Sequence, residues 1–499
     1  MPAQLSPAAV IVLAAGEGKR MKSGTPKVLH TLCGRPMVGH VVEAARVLAP
    51  RRLAVVVGHG REQVAAYLEQ VDPDIRAVVQ EEQHGTGHAT RVAVEALTEA
   101  DGELEGTVLV VFGDTPLMTS ATLEALLTAH HEAGNVVTVL TAIVPDPVGY
   151  GRILREDGRV VGTVEQKDTT PEQAAITEIN SGVFAFDGKV LRDALGRIDR
   201  SNAQGEEYLT DVLGLAAADG QPVGAYVIAD WRETLGANDR VQLAELRRLL
   251  NVRLTEHWMR EGAGIVDPAT TWIDVQATLG RDTVVHPNTQ LLGATVLADG
   301  AEVGPNCTLT DTFVGEGARV SNATTEGAEI GPEASVGPYT YLRPGTRLAR
   351  GAKAGGFVEM KNAEIGAGSK VPHLSYVGDA RVGEGCNLGA GTITANYDGV
   401  AKHRTEIGDH VFVGSDSVLV APATLADGAF VAAGSAVTGP VGPGELAVAR
   451  GRQRNIEGWI ERKRPQSAAA RAAAKARAEQ PAPAAGDAEA AAAEGSGRA

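Results

Sequence analysis

Cysteine is nearly missing: three residues in 499, Cys33, Cys307 and Cys386, stand far apart with no metal-ligand spacing. This excludes a disulfide framework and a zinc site, and fits a reducing cytoplasm. An excess of basic charge is missing as well. Lys and Arg number 46 against 62 Asp and Glu, for a formal net charge of -16. Such a chain offers no general surface for nucleic acid or anionic membrane, so an anionic ligand must be met by local clusters of cations. No apolar run approaches the ~18 residues of a membrane span. The first residues, MPAQLSPAAVIVLAAGEGK, carry no basic segment ahead of their short apolar run. The expectation is a cytoplasmic protein, neither exported nor membrane-bound.

Length favours two or three domains over one core. Short β-rich runs, AVIVL, LAVVVG, TVLVVFGD and VVTVLTAIV, alternate with helical patterns such as PMVGHVVEAARVL up to about residue 240. This predicts an α/β domain with a mainly parallel sheet buried on both faces. Ligands of such sheets bind beyond the carboxyl ends of the strands, which singles out the loops starting at Ala14 and Gly113. Residues 238–262 read as a helix that ends at glycine and connects what lies on either side. The expected boundaries are 1–237, 238–262, 263–459 and an Ala-rich, disordered tail over 460–499.

From Val285 the period changes to six. Aliphatic residues recur at Val285, Leu291, Leu297 and Val303, again from Ile330 to Leu348, and from Ile407 to Val431. Small residues and glycines fill the intervals, the signature of a β-helix in which three hexads make one triangular coil. The phase slips by one residue between Leu309 and Val314, Met360 and Ile365, and Val377 and Val382. Longer excursions are expected at TTEGAE (324–329) and NYDGVAKHR (396–404). Interruptions of a solenoid are candidate sites, because the coil itself only needs to stack.

The stretch LAAGEGKRMKSGTPK, residues 13–27, mixes glycines with four cations, yet it is neither common phosphate loop. Arg20 stands where a Walker loop needs Ser or Thr, and Met21 where a dinucleotide fingerprint needs its third glycine. A glycine-rich turn after a buried strand still presents backbone N–H groups to phosphate, with Arg20 and Lys27 to neutralise charge. Asp114, at the end of an apolar strand, needs a cation or water. His373 sits in a solenoid that otherwise wants aliphatic and small residues.

Together with QEEQHGTGHA (80–89), GYGRI (149–153), VEQKD (164–168), EINSG (178–182), NAQGEEYLTD (202–211), LRPG (342–345), EMK (359–361), HLSYVGD (373–379) and GAGTITANYDG (389–399), this stretch resembles the GlmU family of bacteria. Its members are bifunctional N-acetylglucosamine-1-phosphate uridyltransferases and glucosamine-1-phosphate acetyltransferases. The likeness runs from about residue 9 to 459. It implies a Rossmann-like nucleotidyltransferase domain followed by a left-handed parallel β-helix of hexapeptide repeats.

For UTP and the sugar nucleotide, the resemblance implies contacts from Leu13, Ala15, Gly16, Arg20, Lys27 and Gly113. Gln80, Gln83, Gly85 and Thr86 correspond to the uracil site, and Gly151, Glu165 and Asn180 to the sugar site. Asp114 and Asn238 correspond to ligands of Mg²⁺. Phe112 departs from the tyrosine common in the family. In the coil, His373 corresponds to the general base, and Arg343, Lys361, Tyr376, Asn387 and Lys402 to the glucosamine 1-phosphate site. Ala390, Asn396, Tyr397, Ser415, Ala433 and Arg450 correspond to the acetyl-CoA site. Val371-Pro372 departs from the small pair expected before the histidine. A homotrimer through the β-helix follows by analogy, with small molecules, and neither nucleic acid nor membrane, as partners. Two other readings stay open: a lone nucleotidylyltransferase whose coil serves assembly, and a non-catalytic nucleotide sensor on a trimeric scaffold.

Overall fold

A computed structural model describes residues 6–479, which fall into two compact units divided between Ala447 and Val448. The first begins with an α/β domain. Its sheet runs in the order Val223–Val227, Val137–Ile143, Glu178–Asp187, Thr107–Phe112, Ala9–Ala14, Leu53–Val57, Arg76–Val79. All are parallel except Glu178–Asp187, which runs against both neighbours and carries the hairpin Arg152–Glu156 and Arg159–Val164.

Strand alternation makes two cores from one sheet. In Ala9–Ala14, Val10, Val12 and Ala14 pack with the helices Met37–Val47 and Ser120–Glu132. Ala9, Ile11 and Leu13 pack on the other face with Thr86–Asp101. From Ala9–Ala14 the chain moves outward to Leu53–Val57 and Arg76–Val79, then returns to the opposite side at Thr107–Phe112. That reversal opens a crevice at the carboxyl ends of Ala9–Ala14 and Thr107–Phe112.

Helix Arg240–Arg260 follows, its start capped by Asp239, whose Oδ1 accepts from the N–H groups of Val241 and Gln242. Leu243, Leu246 and Leu250 bury themselves with Met21, Leu32, Met37 and Leu117 of the α/β domain. Buried Asn251 holds the start of the next region, donating to the Thr271 carbonyl at 2.8 Å and accepting from Ile273 N–H at 3.1 Å.

The remainder of the first unit is the left-handed parallel β-helix. One face is a stack of eleven short strands, and the other two share seventeen. Val285 pairs with Val303 and Leu291 with Leu309, so eighteen residues complete a turn. The hexad aliphatics point inward: Val285, Leu291, Val303, Ile330, Leu342, Met360, Val377 and Val413 are all fully buried. Each phase slip falls at a left-handed corner residue. Asp311, Asn362 and Asp379, at φ of 45°, 46° and 48°, take the left-handed conformation and turn the corner in one residue fewer.

Two expectations fail. TTEGAE is no excursion, because Ala323–Glu326 is a strand of the coil with Thr325 in an inward position. Its hydroxyl is 2.8 Å from that of Thr312, so a threonine fills an aliphatic slot with its polar atom paired. The tail is not disordered from residue 460 onward. In the second unit, Trp459–Lys463 and Ala468–Glu479 are helices, the latter an alanine run, and alanine has the best intrinsic helix propensity. The rest of the expected tail, 480–499, lies outside the described residues.

Candidate functional site

The crevice of the α/β domain is a cleft of about 470 Å³ lined by Leu13, Ala15, Gly16, Arg20, Lys27, Gln80, Gln83, Gly85, Thr86, Asp114 and Asn238. The loop enters it through a short 3₁₀ turn, Lys19–Met21, bracketed by left-handed Gly18 (φ 64°) and Lys22 (φ 48°). A Cβ on Gly18 would lie 2.5 Å from Cβ of Lys27, so only glycine lets the loop close on that lysine. Met21 anchors the loop's far side in the small core beneath helix Arg240–Arg260, and Arg240 Nε donates to the Met21 carbonyl at 3.2 Å.

Lys27 does not reach into open space. Its Nζ lies 2.5 Å from Asp114 Oδ2 and donates to Asn238 Oδ1 at 2.9 Å. The two oxygens come from sequence positions far apart, yet they converge on one cation. Two protein oxygens facing a phosphate-sized cleft are the donor set that Mg²⁺ uses when substrate phosphates and water complete its shell. These residues therefore fit the ion implied by the resemblance. Lys19 pairs with Glu17 at 2.9 Å, which leaves the exposed Arg20 without a partner among the described residues.

Gln80 is buried; its Nε2 donates to the Gly85 carbonyl at 3.3 Å and meets His88 Nδ1 at 2.9 Å. Gln83 Nε2 donates to the Ala15 carbonyl at 2.6 Å, tying this loop to the phosphate loop. Thr86 Oγ1 accepts from Leu209 N–H. Gly113 N–H donates to the Leu13 carbonyl at 2.9 Å, joining the two loops at the carboxyl ends of their strands. Phe112 fills the space above Gly182, where a Cβ would clash with its ring.

Gly151 and Asn180 are joined backbone to backbone at 2.9 Å, and Glu165 packs against Gly151. Burial, with the neighbouring charges of Asp211 and Asp168, raises the Glu165 carboxyl above its ordinary range. Two residues outside the expected contacts brace these loops. Arg152 is buried, donating to the Tyr150 carbonyl and to Gln166, and Glu207 is buried between Arg91 and Arg200 at 2.8 and 2.9 Å. Both lie in stretches already singled out, GYGRI and NAQGEEYLTD, but nothing in those stretches shows which distant side chains they pair with.

On the coil, parallel register assembles a second set. Glu359 pairs with Tyr341 on one side and Tyr376 on the other, and Lys361 pairs with Gly378. Arg343 is held by Glu359 at 3.0 Å. Contact with the Lys402 ammonium, that cation's charge and that of Arg343 keep Lys361 below the usual lysine range, which places three cations together. Asp379, missed in the sequence, organises their surroundings. Its carboxylate accepts from Asn362 at 2.7 Å and from Asn396 at 2.5 Å. Burial alone would raise its pKa, but these bonds and the charges of Lys402 and Lys361 prevail and lower it.

The second expected excursion is real. Asn396 starts it, Tyr397 bridges back to Lys402, and His403 N–H returns to the Asn396 carbonyl at 2.8 Å. His373 ends the strand Lys370–His373, paired with Gly356, and is exposed with no side-chain partner among the described residues. Asn387 lies in the same sheet, opposite Lys370. Ala390, Ser415 and Ala433 follow one another along a corner of the coil. The Ala390 carbonyl accepts from Asp416 N–H, and the Ser415 carbonyl from Gly434 N–H. Arg450 belongs to the second unit, beyond the coil's last strand Leu446–Ala447.

Fold and sites define a two-part transferase: an α/β nucleotidyltransferase domain continued by a hexapeptide-repeat β-helix. Residues 10–169 match the MobA-like NTP transferase domain family. The chain is 60% identical over 467 residues to the bifunctional protein GlmU of Streptomyces avermitilis, covering 93% of this chain and 96% of that one. It is 57% identical over 464 residues to that of Thermobifida fusca, with 93% and 96% covered. Against Corynebacterium efficiens the figures are 53% over 474 residues, with 94% and 97% covered. The chain belongs to the GlmU family. Among the described residues no helix is long and apolar enough to cross a membrane.

Proposed function

We propose that this chain acetylates glucosamine 1-phosphate with acetyl-CoA and then uridylylates the product, giving UDP-N-acetylglucosamine and pyrophosphate for cell-wall precursors. The observation that carries the uridylyl half is the cation centre at the crevice, Lys27 Nζ between Asp114 Oδ2 and Asn238 Oδ1. The sugar phosphate oxygen attacks the α-phosphorus of UTP, and the bond to pyrophosphate breaks. That oxygen is already ionised at neutral pH, so the side chains need only align and neutralise. Backbone N–H groups from Leu13 to Gly16 receive the phosphates, Arg20 and Lys27 stabilise charge that develops as the bonds rearrange, and Gln80 and Gly85 receive the base. Glu165, Gly151 and Asn180 hold the sugar. Asp114 and Asn238 would hold Mg²⁺, which when bound supplies further charge neutralisation on phosphate oxygens.

Acetyl transfer makes a different demand, because the sugar arrives as an ammonium. His373 takes one proton from the ammonium, the free amine attacks the thioester carbonyl, and as the C–S bond breaks the nitrogen's next proton passes to the departing sulfur, leaving the amide and the free thiol of CoA. Arg343, Lys361 and Lys402 receive the sugar phosphate, and Tyr376 and Asn387 bond the sugar or the developing oxyanion. The corner at Ala390, Ser415 and Ala433 and the Asn396-Tyr397 excursion receive acetyl-CoA.

A trimer belongs to the same reading. Tyr339, Phe357 and Leu374 are 64%, 60% and 63% exposed, and Leu374 adjoins the exposed His373. An apolar ridge at that place favours a neighbouring subunit completing the site. A cytoplasmic location is consistent with three unpaired thiols.

The test supplies glucosamine 1-phosphate, acetyl-CoA, UTP and Mg²⁺, and follows thiol and pyrophosphate separately. His373→Ala should lower thiol release by roughly 10² to 10⁴, the range for a lost general base, and spare pyrophosphate release from added N-acetylglucosamine 1-phosphate. Asp114→Ala should do the reverse. Variants that move both signals together would contradict the division of labour.

A further inference from the structure

We propose that His88 is a positioning residue that sets the base specificity of the nucleotide site, by locking the Gln80 amide in the orientation that accepts uracil and rejects cytosine. This deepens the nucleotide reading above and rests on it. A carboxamide has a donor end and an acceptor end, and which end faces a ligand depends on what holds the other. Gln80 is only 5% exposed and lines the cleft. Its Nε2 meets two groups, the Gly85 carbonyl at 3.3 Å and His88 Nδ1 at 2.9 Å. A carbonyl oxygen can only accept, so the Gly85 contact fixes the amide's sense. The nitrogen faces Gly85 and His88, and Oε1 remains for the cleft.

His88 must then accept at Nδ1, which requires a neutral ring with its proton on Nε2. Its surroundings favour that state. Burial comes first, then the charge of Arg91; Glu207 pulls the other way, and His84 and Arg200 add to the lowering, so the ring titrates below the ordinary histidine range. The His84 ring lies 5.1 Å away, centroid to centroid. A free acceptor at Oε1 suits the N3–H of uracil and opposes the unprotonated N3 of cytosine. Were the amide turned, cytosine would be the better partner. When His88 gains a proton, Nδ1 becomes a donor facing a donor, and the lock fails.

The experiment measures pyrophosphate release with UTP and with CTP, at saturating N-acetylglucosamine 1-phosphate and Mg²⁺, for the parent, H88L and H88N. Asparagine can return an acceptor near the Nδ1 position, whereas leucine cannot. The UTP-over-CTP ratio of kcat/KM should fall by about tenfold or more in H88L, because a loosened amide no longer penalises the wrong base edge. In H88N it should stay within about threefold of the parent, the rescue expected of a retained acceptor. As pH falls from about 8 to below the ordinary histidine range, the parent's ratio should hold and then decline once the ring gains its proton, and that of H88N should not. Phosphate ionisation cancels in the ratio, and H88N reports any change in the bases themselves. A parent that prefers UTP alongside an H88L equally selective, or an H88N as unselective as H88L, overturns the inference alone. A parent that releases no pyrophosphate from UTP overturns the nucleotide reading.

Discussion

Lys27→Met isolates what the cation in the crevice does. Methionine keeps the unbranched stem that packs against Gly18 and removes only the charge. The Lys27 side chain is 13% exposed and that of its partner Asp114 22%, so water cannot replace the ammonium freely. In the resting site the loss is two charge-assisted contacts, at 2.5 Å to Asp114 and 2.9 Å to Asn238, each worth about 1.5–3 kcal/mol net. That loss is felt before substrate arrives. For turnover, what counts is stabilisation made only as the phosphoryl bonds rearrange, and a fixed donor in that role is worth about 10² to 10³ in rate. Initial rates of pyrophosphate release should therefore give a kcat/KM for UTP lower by that factor, with thiol release from acetyl-CoA unchanged. A variant within about threefold of the parent would place Lys27 among merely structural residues, because the converted loss would be under 1 kcal/mol. A parallel fall in acetyl transfer would show that the damage spreads beyond the crevice.

Two further predictions concern the folded frame. Thr312 and Thr325 share one buried hydrogen bond, and Thr312 Oγ1 also donates to the Thr310 carbonyl at 2.9 Å. Thr325→Val removes a hydroxyl without stranding a partner, so thermal unfolding should move little. Thr312→Val leaves the Thr325 hydroxyl buried and alone and should cost about 1–3 kcal/mol; equal shifts in the two variants would refute this account of the coil interior. The buried rings of His40 and His130 are the second case. Burial first, then the charges of Arg35 and His131 respectively, push both down to about 4 from 6.5, although the Leu32 carbonyl draws His40 partly back. Between those values the unfolded chain binds more protons than the folded one, so stability is fully present above pH 6.5 and is lost as pH falls towards 4. Asp211, raised to about 6 mainly by burial, works against this in the same window, since its folded form holds the proton more tightly. The comparison is therefore between parent and the H40Q/H130N pair. The drop in urea midpoint from pH 6.5 to 4.5 should be shallower in the variant, and identical slopes would rule the two rings out.

The coil was legible because its rule is local. An aliphatic residue every six positions is enough to place Val285, Leu291 and Val303 inside, and a lost residue shows as a slip that Asp311, Asn362 or Asp379 absorbs at a corner. The same rule misread TTEGAE, because it tests for aliphatic side chains and not for a polar atom with a partner. Thr325 satisfies the interior through Thr312, and nothing within its own hexad announces that. The crevice was legible to a similar depth. Apolar runs gave the strands, the reversal of strand order follows once they pair, and the two loops at their carboxyl ends carry Lys27 and Asp114.

What the sequence concealed lies in contacts between distant segments. Lys27 stood in the reading as a phosphate ligand, and Asp114 and Asn238 as a metal pair. Folding makes the three one centre, because Asn238 N–H is held by Gln242 Oε1 at 2.7 Å at the head of the helix Arg240–Arg260. That helix has a further hold on the phosphate loop through Arg240 and the Met21 carbonyl, and its buried Asn251 clamps the first turn of the coil. A segment that looked like a connector is thus the shared wall of the nucleotide site and the β-helix. Its amphipathic spacing predicts a buried face, but only the structure shows that the face is divided between two partners. A change on it is felt first in the crevice, where Asn238 and Met21 are one hydrogen bond away, and not in the acetyl-transfer residues, which lie several turns of coil further on.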